Sequence, residues 1–167
     1  MQDSGGVRVP VNVVNKPGGG GNIAYQYLQQ FPGDAHYAAM ATATLLTNHI
    51  LGVSTFNFTD FSPLAILYGE HVGFAVNAEG PMKSGRDLIE RMKREPEKVT
   101  FAFGTSRGNA NHIAIASVLK AAGIDPKSAK IVLYKASVDA ATALMGGHVD
   151  VVATPISTFM PVRRSSS

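Results

Sequence analysis

The sequence predicts an α/β fold built as two lobes, and three observations carry the prediction. From residue 99 onward, runs of strand and helix character alternate as β-α-β-α-β, at spacings that suit right-handed parallel crossovers. Residues 8–43 contain a β-α-β unit of their own. Between the two units lies LAILYGEHVGFAVNA, residues 64–78, which reads as connecting strands. The expected division gives residues 1–75 to part of a first lobe and residues 76–167 to a second, with crossover strands around residues 64–80.

Each element follows from its local pattern and punctuation. Residues 8–15 (RVPVNVVN) read as a strand, with Pro10 near the start, where a missing N–H is tolerated. Lys16-Pro17 and the four glycines 18–21 make a tight turn, and Asn22 is the expected N-cap of a helix reaching about Gln30. FPGD at 31–34 ends that helix, HYAAMATA at 36–43 reads as a second strand, and residues 44–50 as a short helix. An aromatic-rich loop covers 56–63, and residues 64–78 form two short strands or one bent strand interrupted at Gly69. Ser84 caps an amphipathic helix from Gly85 to about Glu95, with Leu88, Ile89 and Met92 on one face and Asp87 in the first turn. A strand at 99–103, a helix at 111–122 closed by Gly123, and a strand at 130–134 follow. A helix at 138–145 ending in Gly146-Gly147 and a strand at 149–153 complete the pattern.

Composition removes several function classes. Hydrophobic residues make up 45% of the 167 and charged ones 16%, which places the chain among folded proteins rather than disordered ones. The net charge of +3 is dispersed apart from Lys93-Arg94 and Arg163-Arg164, and there is no tryptophan, so the basic stripe with stacking aromatics of a nucleic-acid binder is missing. A basic balance instead suits a small anionic ligand. With no cysteine there is no disulfide, thiolate zinc site or thiol nucleophile. No apolar run approaches the length of a membrane span, and MQDSGG at the start lacks the basic and apolar segments of a signal peptide. His36, His49, His71, His112 and His148 are scattered with no i,i+4 pair, so neither a metal nor another cofactor is expected.

The stretch VTFAFGTSRGNANHIAIA, residues 99–116, holds the chemistry. A strand runs into a small polar loop and the loop opens into an apolar helix, which aims backbone N–H groups and hydroxyls at one point. Thr105, Ser106, Asn109 and Asn111 are the candidate donors for a carboxylate, with His112 placed to position ligand or loop. A capped helix whose polar loop faces only water remains the plainer reading. Gly104-Thr105-Ser106-Arg107-Gly108 also spells the G-x-S-x-G elbow of a serine hydrolase. Asp125 or Asp139 followed by His148 gives the right order of partners, but His148 precedes a strand at the opposite edge of the sheet from the elbow.

Gly18–Gly21 ahead of a helix invites a phosphate-loop reading, yet no Gly-Lys-Ser/Thr follows and the spacing is not G-x-G-x-x-G. A flexible turn that allows close packing is the preferred reading. Thr42, Thr44 and Thr47 lie at the end of a predicted strand, where open α/β sheets bind ligands, or else cap the next helix. Lys135 after Tyr134 is placed to pair with an acid or to remain solvated, and Asp139 reads as an ordinary first-turn acid.

Taken in order, these motifs resemble a known family. VNVVNKPGGGGNIA is similar to the V-x-N-(R/K)-P-G-x-G-G-N signature of the tripartite tricarboxylate transporter receptors, often called Bug receptors. DFSPLAILYGEHVGFAVNA resembles their strand crossover and PMKSGRDLIERMKREPEKVTFAFGTSRGNANHIA their second-lobe entry. KIVLYKASVDAATALMGGHVDVVATPIS resembles the segment that usually reads P-Y-K-G through to L-x-G-G-x-V-D, with Ala136 where a glycine is customary.

The resemblance implies a periplasmic-binding-protein-like architecture of two α/β lobes, with the first lobe incomplete. It implies a receptor that does no chemistry, closes on a small carboxylic acid, and delivers it to membrane transporter subunits without entering the membrane itself. By the same carry-over, Gly104, Thr105, Ser106, Asn109 and Asn111 belong to the second-lobe ligand loop, Thr42 and Thr44 to a first-lobe loop, and Tyr134, Lys135 and Ser137 lie near the cleft; His112, just after the loop, stays a candidate from its own position, with a structural role equally open. Family members begin with a signal peptide, a strand and a glycine-rich loop, and continue beyond the point matched by Pro161. The chain therefore reads as about half of a receptor, periplasmic by resemblance and cytoplasmic if expressed as written. Marginal stability and weak or absent ligand binding are expected of that half alone.

Overall fold

The computed structural model describes residues 9–159. Two short helices come first, α1 (Asn22–Leu28) and α2 (Thr44–Ile50). A four-stranded sheet follows, made of β1 (Val72–Val76), β2 (Thr100–Gly104), β3 (Lys130–Tyr134) and β4 (Val151–Pro155) in the order β1-β4-β2-β3. The connecting helices are α3 (Gly85–Arg94), α4 (Ala110–Ala121) and α5 (Ser137–Met145). β2 runs parallel to β3 and β4, with Phe101 opposite Ile131 on one side and Val151 on the other. β1 is antiparallel to β4, Val72 opposite Pro155 and Val76 opposite Val151.

Strand alternation splits the core in two. Phe101 and Phe103 of β2, with Val151 and Ala153 of β4, face Leu88 and Met92 of α3 and Ile115 and Leu119 of α4. Ala102 and Val152 point to the other face, against Ala140, Ala143 and Leu144 of α5. The small residues on that face let α5 approach closely, and both faces of the parallel strands are covered. Local chemistry fixes the ends. Ser84 Oγ accepts the Asp87 N–H while the Asp87 carboxylate accepts the Ser84 N–H, the predicted capping box. The Asp139 carboxylate accepts the Ala136 N–H at the start of α5. Asp150 ties β4 to β2 by accepting the Thr100 N–H and returning its own to the Thr100 carbonyl.

The first part of the chain departs from its predicted elements. Residues 9–15 and 36–43 pair with no strand and form none; Arg8 lies outside the described residues. The period-two pattern is present in the sequence, but strand backbone needs a neighbour to take its N–H and C=O groups, and Val13 stands 81% exposed instead. An aromatic cluster organises this region: Tyr25, Phe56 and Phe61 meet edge to face with centroids 5.5–6.4 Å apart. Of residues 64–78 only Val72–Val76 become a strand, because only they lie beside β4. Gly21, left-handed at φ 93, takes the N-cap of α1 in place of Asn22, whose side chain reaches the Val53 carbonyl at 3.4 Å. α1 ends at Leu28, two residues before the expected end, and the last strand is Val151–Pro155, shifted two residues onward.

Candidate ligand-binding site

β2 and β3 end side by side, and the loop between β2 and α4 lies over their C-terminal edge, the ligand-binding edge of open α/β sheets. The Thr105 N–H donates to the Tyr134 carbonyl at 3.0 Å, joining this loop to the one after β3. Gly104 is required there, because a Cβ would stand 2.2 Å from the Ser137 nitrogen and 2.3 Å from the Ala136 carbonyl carbon. Thr105 has φ 80, a conformation that a β-branched residue holds only at a cost of about 1–3 kcal/mol.

Asn109 holds that strain in place. Its Nδ2 donates to the Gly104 carbonyl at 2.7 Å and to Thr105 Oγ1 at 2.8 Å, while its Oδ1 accepts the His112 N–H at 3.0 Å as the N-cap of α4. Its polar atoms are thus engaged within the loop. His112 Nδ1 accepts the Gly108 N–H at 3.0 Å, and the ring stacks on Phe103 with centroids 5.1 Å apart. Burial, and then the positive charge of Arg107, hold the His112 pKa below its ordinary value, favouring the neutral ring that can accept this bond. Asn111 is buried in the first turn of α4. The first two amides of that helix, Ala110 and Asn111, have no intrahelical acceptor.

A second wall comes from the first part of the chain. Gly18, Gly19, Gly20 and Gly21 all have positive φ (124, 56, 62 and 93), so the turn is a defined left-handed path open only to glycine at low cost. It packs directly on the polar loop: a Cβ on Gly20 would lie 2.7 Å from Ser106 Oγ. Asn48 of α2, 3% exposed, donates from Nδ2 to the Gly19 carbonyl at 3.0 Å. Thr47 Oγ1, one residue earlier, donates to the Gly108 carbonyl at 2.8 Å. One helix therefore secures both walls. Thr44, also buried, bonds Thr42 Oγ1 at 2.9 Å through its own hydroxyl, and the Thr42 N–H donates to the Tyr25 hydroxyl at 3.3 Å. The Tyr25 ring backs Gly21, so the two threonines stand behind the glycine turn.

Ser106 Oγ is buried and has no hydrogen-bond partner. The structure thus gathers Gly104, Thr105, Ser106, Asn109, Asn111 and His112 in one loop and helix start, with Tyr134 at the end of β3, the exposed Lys135 after it and Ser137 opening α5 on the adjoining connection. Thr47 is a candidate from the sequence alongside Thr42 and Thr44, and Gly20 lies in the four-glycine turn read as allowing close packing; Asn48 was not singled out. Nothing local marks Asn48, whose partner Gly19 lies far away in the chain.

The elbow motif is not assembled as a triad. No histidine nitrogen bonds Ser106 Oγ, and the Nδ1 of the neighbouring His112 is occupied by Gly108. His148 precedes Val151 on β4 while Gly104 follows Phe101 on β2, and those two strands run parallel with Phe101 opposite Val151. The separation along the strands is about 20 Å at roughly 3.3 Å per residue. Among the described residues no group of three or more His, Asp or Glu is placed to hold a metal, and no helix is long and apolar enough to cross a membrane.

A mixed sheet whose parallel strands end under helix amides and a buried free hydroxyl, faced by a glycine turn, belongs to the class of α/β binding-protein folds. Solved structures share that fold. One described as a periplasmic transporter superposes with TM-score 0.72 at 24% identity, over 91% of this chain and 51% of its own. A TctC solute-binding protein from Polaromonas, solved without ligand, gives TM-score 0.62 at 22% identity, over 87% of this chain and 49% of its own. R. palustris Rpa4515, solved with adipate, gives TM-score 0.67 at 19% identity, over 87% and 48%. A Cupriavidus necator protein, described as a UPF0065 protein in the gbd 5′ region, is 28% identical over 145 residues, 86% of this chain and 43% of its own length. The model of the tripartite tricarboxylate transporter family receptor matches residues 5–165, and the chain belongs to that family. It spans about half the length of these relatives.

Proposed function

We propose that this chain forms a ligand-holding part of a periplasmic solute receptor, which captures a small carboxylic acid and passes it to the membrane subunits of a tripartite transporter. The observation that carries the reading is Ser106 Oγ, a buried hydroxyl without a partner in the loop that opens into α4, whose first two amides have no intrahelical acceptor. Leaving such a group unpaired costs on the order of 1–3 kcal/mol, and an acceptor brought in by a ligand removes that cost. A carboxylate supplies the acceptor: one oxygen takes the Ser106 O–H, the other the Ala110 and Asn111 amides, at the positive end of the helix. Arg107 and the exposed Lys135 add positive charge around it. Gly20 occupies the space against Ser106, so the ligand is expected to enter as the glycine turn moves off and to be covered as it returns. No proton transfer or covalent step is needed. Membership in a receptor family and the adipate in the Rpa4515 structure support this choice of ligand class.

The test is an amide-resolved NMR titration of the 167-residue chain with adipate and with a tricarboxylate. Saturable shifts are expected at Ser106, Ala110, Asn111 and Gly20, with weak affinity for a chain that spans half a receptor. Shifts confined to exposed lysines, or none up to the solubility limit, overturn the reading. Turnover of an activated ester that disappears in Ser106→Ala overturns it in favour of a hydrolase.

A further inference from the structure

The Gly108 peptide is gripped from two sides. Its N–H donates to His112 Nδ1 at 3.0 Å, and its carbonyl accepts the Thr47 hydroxyl at 2.8 Å. α2 seats directly on it: a Cβ at this left-handed position, φ 78, would stand 2.8 Å from Thr47 Oγ1 and 2.9 Å from Leu51 Cδ1. Among the described residues the Thr47 bond is the only hydrogen bond between residues 9–61 and residues 72–159. One peptide, with the packing around it, therefore holds the front of the chain on the ligand loop.

The next residue of α2 carries that grip to the cover of the site. Asn48 Nδ2 donates to the Gly19 carbonyl, and Gly20 lies against Ser106. The place of the Gly108 peptide is thus passed through α2 to the glycine turn. If the Thr47 hydroxyl loses Gly108, the Ala43 carbonyl of its own helix is already 3.4 Å away to accept it.

His112 holds Gly108 only as a neutral ring with its proton on Nε2, because a backbone N–H needs the lone pair of Nδ1. A proton taken from water at Nδ1 sets donor against donor, and the Gly108 peptide has to turn away. Burial and the nearby Arg107 disfavour that protonation near neutral pH. The surroundings do little to oppose them. β1, β2 and β4 pack on α4 without a charged side chain, and α3 meets it with Leu88 and Met92. α2 brings the exposed His49, and the turn Pro126–Ser128 brings Lys127 to the far end of α4. The connection after β3 brings the exposed Lys135 and then Asp139, whose carboxylate is spent on the Ala136 N–H.

We propose that Thr47 and His112 are positioning residues of the carboxylate site: through the Gly108 peptide they keep the glycine turn on Ser106 while the imidazole is neutral, and acid, by protonating Nδ1, frees the turn and uncovers the hydroxyl. Both act through Gly108 rather than on the ligand. This role rests on the carboxylate reading only for what an uncovered Ser106 is for. Its test contains no ligand, so either can fail while the other stands.

A Cβ on Gly20 would lie 3.2 Å from Ser106 Cβ, so a Gly20 Hα and the Ser106 Hβ protons stand close enough for a nuclear Overhauser effect (NOE). NMR of the 167-residue chain follows that NOE from about pH 7 down through the midpoint of the His112 ring, together with the His112 ring protons and the Phe101 and Phe103 amides. The NOE is expected to fall roughly tenfold with the midpoint of the ring, as the covered state passes from dominant to minor, while the β2 amides stay in place. His112→Asn offers Oδ1 in place of Nδ1 and does not titrate, so it should keep the NOE at full strength throughout. Thr47→Val keeps the branched shape and removes the donor. It should weaken the NOE already at about pH 7 and break its link to the ring, which still titrates. An NOE that is constant through the ring's titration, falls with another midpoint, or falls equally in His112→Asn overturns the proposal. So does one lost only together with the β2 signals, which is global unfolding. Should His112→Asn not fold, Thr47→Val decides: an NOE with the strength and pH dependence of the unsubstituted chain overturns it.

Discussion

Replacing Ser106 by alanine separates a binding hydroxyl from a structural one, because the two predict opposite signs. The hydroxyl oxygen is buried and without a partner, a state that costs on the order of 1–3 kcal/mol. Alanine keeps the Cβ that packs toward the glycine turn, where a Cβ on Gly20 would lie 3.2 Å away. The variant is therefore expected to be more stable by about 1 kcal/mol, the low end of that range, since no cavity larger than the oxygen is left. For a domain of this size that is a rise of about 2–4 °C in Tm. The same change removes a hydrogen bond to a charged group, worth about 1.5–3 kcal/mol, so affinity for adipate should fall roughly ten- to hundred-fold. Urea denaturation supplies the first number and the NMR titration the second. A variant less stable by more than about 0.5 kcal/mol would refute the reasoning by showing that the hydroxyl has a partner within the fold. Unchanged adipate affinity would refute its placement at the ligand.

Three further outcomes test the loop around it. Gly104→Ala pushes a methyl into the Ser137 nitrogen and the Ala136 carbonyl carbon, and is expected to lose about 3 kcal/mol, the top of the overpacking range. Gly85→Ala, in open space at the start of α3, should stay within about 1 kcal/mol on the stabilising side, and equal effects of the two on the urea midpoint would contradict the close approach at Gly104. Asn109→Ala removes the cap of α4 and both bonds that hold Thr105, for a loss of about 2–3 kcal/mol accompanied by faster exchange of the Thr105 amide. Fast exchange confined to α4 would show that the cap alone mattered. His112 has a depressed pKa in the fold, so between the unfolded value near 6.5 and its folded value the unfolded chain binds more protons. Stability from this group is complete above about pH 6.5 and falls as pH drops through the folded pKa. His112→Phe, which retains the stack on Phe103, should flatten the urea midpoint between about pH 7 and pH 5. An unchanged slope would assign the titration to another histidine.

What was readable in the sequence were features whose causes are local. Ser84 and Asp87 cap α3 because they lie three residues apart at its start, and Gly123, left-handed at φ 73, follows α4 where predicted. The β-α-β-α-β order from residue 99 to Pro155 appears as one sheet because each of its strands finds a neighbour within the same stretch. The valines of residues 9–15 carry an equally strand-like pattern and form no strand, since pairing is a property of two segments and the pattern describes one. Asn109 and His112 were found as polar residues at a helix start. Their roles became visible only as bonds, one spent on Gly104, Thr105 and the cap, the other on Gly108.

The sequence by itself determined the alternation of elements, the caps, the exclusion of thiol chemistry, the polar loop ahead of α4, and the family resemblance that the receptor model matches over residues 5–165. Only the tertiary structure decided what that loop faces. The Gly20 contact on Ser106, the Asn48 bond to Gly19 and the Thr47 bond to Gly108 join segments far apart in the chain. No period, cap or turn signal encodes such contacts. They arise when packing of α2 brings two backbones within hydrogen-bond distance, and there one serine hydroxyl is left without a partner.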